Sequence, residues 1–416
     1  MALAGYRLTS VPAEADVAIV TTCAFLEAAV TESESAVRRV LAVKRKNPGV
    51  KVVVAGCLVQ RFGREVTRRL PGVDLFVGLD QMNRIPELLS AGRQVLLSKR
   101  PVGLCSSKSP RLLSTPAHYA WLKIADGCDN LCAYCLIPGI RGRLRSRSVG
   151  DIVREAQDLC RIGVRELILV AQDTTAYGKD IYAKPALPRL LNQLGRIPEL
   201  HWLRLMYTHP AHVTDRLLRE YEQNPKLCRY IDLPLQHTSD RILRAMNRRY
   251  CRADIELLLA RLRAIPEMRI RTTLITGFPG ETESEFEELL DFVREHRFDR
   301  LGGYAYSPEP GTRAAVLRNQ IPEPVRQERL GRLMRVQASI SRRNLRSLLG
   351  CTLEVGVDSP GIGRTQWDAP EIDGVVRLTG SSPRPGTFVQ VKVTGTQTHD
   401  LVGRVPTRSP SVRRHK

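Results

Sequence analysis

Between residues 118 and 306 the chain repeats one pattern: a short apolar run, a loop, then an amphipathic helical stretch. The runs are AWLKIA (120–125), ELILVA (166–171), HWLRLMY (201–207), RYIDL (229–233), RIRTTLIT (269–276) and RLGGYAY (300–306). Helical periodicity fills 149–162, 213–223, 240–248, 253–264 and 282–296 between them. Runs this apolar are buried on both faces, as parallel strands covered by helices are. Six such units do not close an eight-stranded barrel, so the spacing predicts a partial (β/α)6 barrel. Polar and glycine-rich residues gather just after the strands, where parallel α/β folds build their sites.

The flanks read differently. Residues 1–95 predict a smaller α/β unit built on a parallel sheet. Its strands are DVAIV (16–20), KVVVA (51–55) and VDLFVG (73–78), with helices over about 26–46, 58–70 and 81–90. Residues 96–115 are polar, basic and rich in Pro and Ser, and predict a linker. The barrel domain is expected over 116–340, running into a charged amphipathic helix at about 321–348. Beyond it, TLEVGVD (352–358), EIDGVVRL (371–378), TFVQVKVTG (387–395) and DLVGRV (400–405) predict a small antiparallel β-barrel over 341–407. Residues 408–416 form a basic tail.

Several classes of protein are set aside by these residues. No stretch offers the ~18 uncharged apolar residues that a membrane span requires. The N-terminal MALAGYRLTSVPAEADVAIV carries acids where a secretory signal has an apolar core. A cytoplasmic protein with no membrane partner is therefore expected. The net charge is +21, yet 53 of the 64 basic residues are Arg and only 11 are Lys. Codon composition produces such a bias as readily as a nucleic-acid footprint does. The charge permits an RNA or ribosome partner without requiring one.

Ten cysteines in 416 residues are too few for a disulfide scaffold and ask for a metal or redox explanation. The sharpest signal is GCDNLCAYC, which places Cys128, Cys132 and Cys135 in C-x3-C-x2-C spacing immediately after a strand. Three thiolates on one tight loop suit three irons of a [4Fe–4S] cube and leave the fourth open to a small ligand. A structural zinc site is the main alternative. It needs four protein ligands, and His118, ten residues upstream, is the nearest histidine. Cys23 and Cys57 each sit just past the end of a predicted parallel strand, so neighbouring strands would bring them together as metal ligands. Small buried hydrophobes are the alternative reading of that pair. Cys105, Cys160, Cys228, Cys251 and Cys351 read as structural.

The loop, with Tyr134 just before its last cysteine, resembles the radical S-adenosylmethionine superfamily. More widely, TTCAFLEAA (21–29), VAGCLVQRFG (54–63), LKIADGCDNLCAYCLIPGIRGRLRSR (122–147), LVAQDTTAYGKD (169–180), YIDLPLQHTSDRILRAMNR (230–248), TTLITGFPGETESEF (272–286) and YSPEPGT (306–312) resemble the methylthiotransferase family in order. GIGRTQWDAPEIDG (361–374) resembles that family's TRAM domain. The resemblance implies two [4Fe–4S] clusters, S-adenosylmethionine and an electron donor. Cys128, Cys132 and Cys135 would hold the cluster at which the sulfonium is cleaved to a 5′-deoxyadenosyl radical. Cys23 and Cys57 would contribute to an auxiliary cluster that carries or supplies sulfur. Radical chemistry suits the task, because polar chemistry is poor at an unactivated C–H bond.

Two substrate classes occur in the family: a tRNA adenosine, and the β-carbon of an aspartate in ribosomal protein uS12. VAQDTTAYG, with Asp173, and YIDLPLQH resemble the ribosomal-protein branch. Residues 344–403 carry five basic and six acidic groups, an arrangement poorly suited to gripping RNA. The expected partner is uS12 or the small ribosomal subunit, with tRNA as the alternative substrate. A ribosome-associated binding protein with a degenerate auxiliary site is a further alternative.

By resemblance, Tyr134, Gln172, Asp173, Gln236, Gly277 and Gly280 contact the S-adenosylmethionine. Some of these positions also have a plainer reading: Asp173 as a helix cap, the glycines as a turn, and His237, beside Gln236, as a satisfied core histidine. The run RGRLRSR (141–147) would contact substrate or be merely solvated. The family's auxiliary cluster uses three cysteines, and the first has no counterpart here. The expectation is a start assigned too late, with roughly 20 to 30 residues upstream. The upstream genomic frame tests this, and an immediate stop with no Cys-bearing segment would refute it.

Overall fold

The computed structural model describes the chain except residues 2–3, 10, 12–13, 90–93, 99–100, 110 and 407–416 and the side chain at 94, so the expected basic tail lies outside the described residues. The chain divides into two compact units. The first comprises residues 1–110, 125–145 and 307–317; the second comprises 111–124, 146–306 and 318–416.

The first unit is built on a four-stranded parallel sheet, β1 (Val17–Thr22), β2 (Lys51–Gly56), β3 (Leu75–Val77) and β4 (Gln94–Leu96), in that order. β2 is central and carries the continuous apolar sequence that burial on both faces demands: Val52, Val53, Val54 and Ala55 are fully buried. The helix Glu27–Lys46 covers one face through Val30 and Val37. It begins with Glu27 and ends with Lys44, Arg45 and Lys46, matching the helix dipole. The helix expected over 58–70 is instead broken into Cys57–Phe62, a 3-10 turn at Gly63–Glu65, and Val66–Arg69, because Gly63 takes a left-handed φ of 57°. β4 was not expected. Its three residues are too short for periodicity to reveal, and its last one falls in the predicted linker.

The second unit holds a six-stranded parallel sheet: β5 (Tyr119–Lys123), β8 (Glu166–Val170), β9 (Trp202–Leu205), β10 (Leu227–Asp232), β11 (Arg269–Thr276) and β12 (Arg300–Ala305), paired in sequence order. Two short pieces, β6 (Ala125–Asp126) and β7 (Arg145–Ser146), pair separately. Helices lie in the crossovers at Val149–Arg161, Leu187–Gly195, Asp215–Gln223, Arg252–Arg263 and Glu283–His296. The one at Leu187–Gly195 was not assigned from sequence. It begins Leu-Pro, and a proline is tolerated only in the first turn.

After the long helix Glu323–Arg346 the chain forms a closed barrel in the order β13 (Thr352–Ser359), β14 (Ile362–Thr365), β15 (Val376–Gly380), β17 (Leu401–Val405) and β16 (Phe388–Thr396). Its core is Val355, Val376, Val391, Val393, Leu401 and Val405. β14 is the strand that sequence reading lacked, and the β15–β17 pairing is parallel among otherwise antiparallel ones. Among the described residues, no helix is long and apolar enough to cross a membrane.

β14 and the segment after it join this small barrel to the sheet. Arg364 reaches Glu166 at 2.8 Å and Asp358 at 2.7 Å, and Arg204 reaches the same Glu166 at 2.8 Å. Tyr230 donates to Asp373 at 2.7 Å and Tyr119 donates to Glu371 at 2.7 Å. Arg300 pairs with Asp368, and Arg204 also donates to the carbonyl of Gln366. Burial pushes the Glu166 carboxyl upward, but the two guanidinium groups overcome it and hold it below the usual range.

Removing one partner of a buried pair strands the other charge. Arg364→Ala is expected to lower unfolding free energy by about 3–5 kcal/mol, read as a lower urea midpoint at unchanged slope. Because Glu166 is depressed in the folded state, its contribution is present above the unfolded carboxyl pKa of about 4 and is lost as pH falls below it.

Candidate iron–sulfur and cofactor site

The loop of three thiols is shaped by backbone constraints. Gly127 adopts φ 79°, and a Cβ there would lie 2.0 Å from the Arg143 carbonyl, so no other residue fits. The Cys128 N–H donates to the Gly142 carbonyl at 3.1 Å and the Cys135 N–H donates to the Cys132 carbonyl at 3.1 Å. Leu131 takes a left-handed φ of 51°, which turns the chain between the first two cysteines. The Asn130 N–H points at Cys128 Sγ at 3.5 Å, the kind of N–H···S contact that tunes iron–sulfur centres. Cys128, Cys132, Cys135 and Tyr134 are all half-buried. A hollow of about 710 Å³ opens beside Cys128, lined also by Asp129, Leu131, Pro138 and Arg143. Three partly accessible thiols on one constrained loop beside a hollow fit a cluster with one open iron. His118 pairs with Asp358 at 2.9 Å.

Cys23 and Cys57 come together as their strands predict. Thr22 pairs with Gly56 in the β1–β2 register, so both cysteines lie one residue beyond the same rung. Gly56, at φ 111°, turns β2 directly into the helix that starts at Cys57. Cys23 is exposed and Cys57 is buried. Burial pushes the Cys57 thiol up, while the Arg141 guanidinium, with Nη2 at 3.3 Å from its sulfur, pulls it back.

A second ionic contact ties the two loops. Glu309 is 1% exposed. It accepts the Glu27 N–H at 2.8 Å and pairs with Arg61 at 3.1 Å, and Arg61 also donates to the Ala24 carbonyl at 2.9 Å. Ala24 follows Cys23, and Arg61 lies one helical turn beyond Cys57. Glu309 lies within YSPEPGT, where nothing local in the sequence marks it for this role.

In the second unit the predicted residues follow the strand ends. Gln172 and Asp173 follow β8, Gln236 follows β10, and Gly277 and Gly280 follow β11. Gln172 is half-buried, and its Oε1 is shielded from water with no hydrogen-bond partner, an acceptor left for a bound molecule. Gln236 holds φ 69°, a left-handed conformation rare outside glycine, fixed by backbone bonds to Thr273 and Ile275 at 2.8 Å each.

Asp173 caps no helix. One oxygen accepts from the Thr175 hydroxyl at 2.5 Å and the Ala176 N–H at 3.1 Å, and the other meets His212 Nδ1 at 2.8 Å. Burial would raise its carboxyl, but these bonds hold it well below the usual range. His209 stacks on His212 with ring centroids 4.7 Å apart, and burial, reinforced by Arg248, lowers its pKa to about 2. The THPAH phrase (208–212) carried this pair of imidazoles unread.

Other predicted residues have close partners within the protein. Gly277 takes φ 73°, and a Cβ there would lie 2.3 Å from Arg326 Cγ; its N–H donates to the buried Glu281. His237 is fully buried, with Nδ1 accepting the Ser239 N–H at 2.9 Å and Nε2 facing Glu281 at 3.5 Å. The basic run divides: Arg141 pairs with Asp126, Arg147 is 3% exposed and pairs with Asp151 and Glu155, and Arg143 is exposed.

Comparison with known proteins places this geometry. Residues 122–293 match the radical SAM superfamily, 1–78 match the uncharacterized protein family UPF0004, and 349–405 match the TRAM domain. The ribosomal protein uS12 methylthiotransferase RimO of Anaeromyxobacter sp. (strain K) is 45% identical, covering 99% of this chain and 90% of the relative. The chain belongs to the ribosomal protein uS12 methylthiotransferase family. The member from Desulfitobacterium hafniense (strain Y51) is 41% identical over 96% of this chain and 92% of its own. Among solved structures, the radical S-adenosylmethionine methyltransferase TsrM from Kitasatospora setae shares the fold at TM-score 0.54 and 14% identity, covering 84% of this chain and 70% of that one. Membership of this family makes the chain a radical S-adenosylmethionine enzyme with a [4Fe–4S] cluster.

Two measurements test the site's physics. Gly277→Ala is expected to cost about 1–2 kcal/mol for the left-handed backbone alone, read by chemical denaturation. His209, charged only in the unfolded chain, takes up its proton on unfolding between the unfolded pKa of about 6.5 and the folded value. Unfolding free energy should therefore fall as pH drops below that point, and His209→Asn should flatten the slope by one proton.

Proposed function

We propose that this chain is the methylthiotransferase that replaces a hydrogen on the β-carbon of a uS12 aspartate with a methylthio group, using two S-adenosylmethionine molecules. The observation that carries this reading is near-complete coverage of uS12 methylthiotransferases at 41–45% identity, with the three-thiol loop intact. Cys128, Cys132 and Cys135 hold the radical cluster, with Tyr134 beside it. Gln172, Asp173, Gln236, Gly277 and Gly280 form the cofactor's polar surround. Cys23 and Cys57 are two ligands of an auxiliary cluster. When bound, the clusters supply one-electron chemistry and sulfur, and an external electron donor feeds them.

The chain's own residues do the holding. Gln172 offers an unsatisfied acceptor, Gln236 is locked in a strained conformation, and Asp173 fixes the half-exposed His212 by one short hydrogen bond. Arg364, Asp368, Glu371 and Asp373 of the TRAM domain are engaged with the second unit's own sheet. Independently, the five basic and six acidic groups of residues 344–403 give the small barrel no net positive charge to offer a phosphate backbone, which favours a protein substrate over tRNA.

The test is mass spectrometry of uS12 from a strain lacking the gene. The methylthio mass should disappear, return with the wild-type chain, and stay absent with Cys132→Ala. An unchanged uS12 mass in the deletion strain, with loss of a methylthio nucleoside from tRNA, would transfer the assignment to the tRNA substrate.

A further inference from the structure

Cys57 begins a helix beside Cys23, and the Arg141 guanidinium faces its sulfur. Arg141 Nη2 lies 3.3 Å from Cys57 Sγ, while Nη1 donates to both oxygens of Asp126 at 3.0 and 3.2 Å. Asp126 is 7% exposed, donates nothing in its ionised form, and stands two residues before Cys128. Arg141 closes the short helix Ile137–Arg141 that follows Cys135. One side chain therefore runs from the loop of three thiols to the thiol of Cys57. The fork of a guanidinium is what lets it hold a carboxylate and a sulfur at once, which the compact ammonium of a lysine does poorly.

We propose that Arg141 tunes and positions the auxiliary iron–sulfur centre through Cys57. The proposal rests on the reading of Cys23 and Cys57 as ligands given above. With iron on Cys57, the Nη2–H donates to the ligating sulfur, and a positive charge stands against a centre that gains negative charge on reduction. Hydrogen bonds to cluster sulfurs and local charge are the protein's main levers on potential, and both here favour the reduced state. Cys57 and Asp126 are both buried, so neither lever is fully screened on this side of the site. Asp126 prevents the guanidinium from swinging away. It also ties the auxiliary centre's electronics to the loop that carries Cys128.

The test is an EPR-monitored redox titration of the full chain, reconstituted anaerobically with ferrous iron, sulfide and a small thiol to complete the coordination. Wild type, Arg141→Gln and Arg141→Lys are compared, with iron content measured for each. S-adenosylmethionine perturbs the signal of the radical centre and so identifies the other one. In Arg141→Gln the second centre is expected to move to lower potential, with at least a tenfold smaller ratio of reduced to oxidised centre at the wild-type midpoint, or about 59 mV for a one-electron couple. Arg141→Lys should fall between. Equal potentials in all three chains, with both centres present, would overturn the role of Arg141 and leave the ligand reading standing. A wild-type chain with only the cofactor-responsive centre would overturn the ligand reading and this proposal together. If Arg141→Gln loses the second centre, Arg141→Lys decides: a retained centre at lower potential supports tuning, and loss in both variants refutes it.

Discussion

Glu166 and Arg364 meet at 2.8 Å with both side chains almost wholly out of water, and Arg204, fully buried, holds the same carboxylate from the next strand. An isolated charge could not be left there, so each of the three depends on the other two. Glu166 opens β8, Arg204 lies in β9 and Arg364 lies in β14 of the small barrel. Through this carboxylate the TRAM domain becomes a fixed part of the second unit. Tyr230, Tyr119 and Arg300, donating to Asp373, Glu371 and Asp368, repeat the arrangement along one segment.

The same chemistry recurs at the cysteines. Glu309 joins the loop after Cys23 to the helix after Cys57 through Arg61, and Arg141 joins Cys57 to Asp126. This gives the arginine excess a structural meaning. Arg141, Arg147, Arg204 and Arg364 are buried or half-buried and matched to carboxylates. Such pairs cancel in the sum, so the net charge of +21 rests on arginines other than these.

Local pattern carried far into the fold. β1, β2 and all six strands of the second unit's sheet emerge from apolar runs, because parallel strands buried on both faces leave an unmistakable composition. β4 and β14 leave too weak a mark for periodicity to show, whereas the equally short β3 and β9 show through VDLFVG and HWLRLMY. In the site, the three-thiol loop was legible from spacing, and the pairing of Cys23 with Cys57 followed from strand order. Asp173 illustrates the limit. Its position after β8 was readable, but its partner His212 lies 39 residues away on the next crossover.

Spacing and residue type sufficed for the nature of the chemistry, since three thiols within eight residues must share one small volume whatever the rest of the chain does. Nothing local brings Arg141 to Cys57, 84 residues apart, or Arg61 to Glu309, 248 apart. Those contacts exist because packing removes water from the charges and leaves them to the oppositely charged or polar groups packed against them. Which arginine answers which carboxylate or thiol is settled by desolvation in the folded chain, and sequence order holds no record of it.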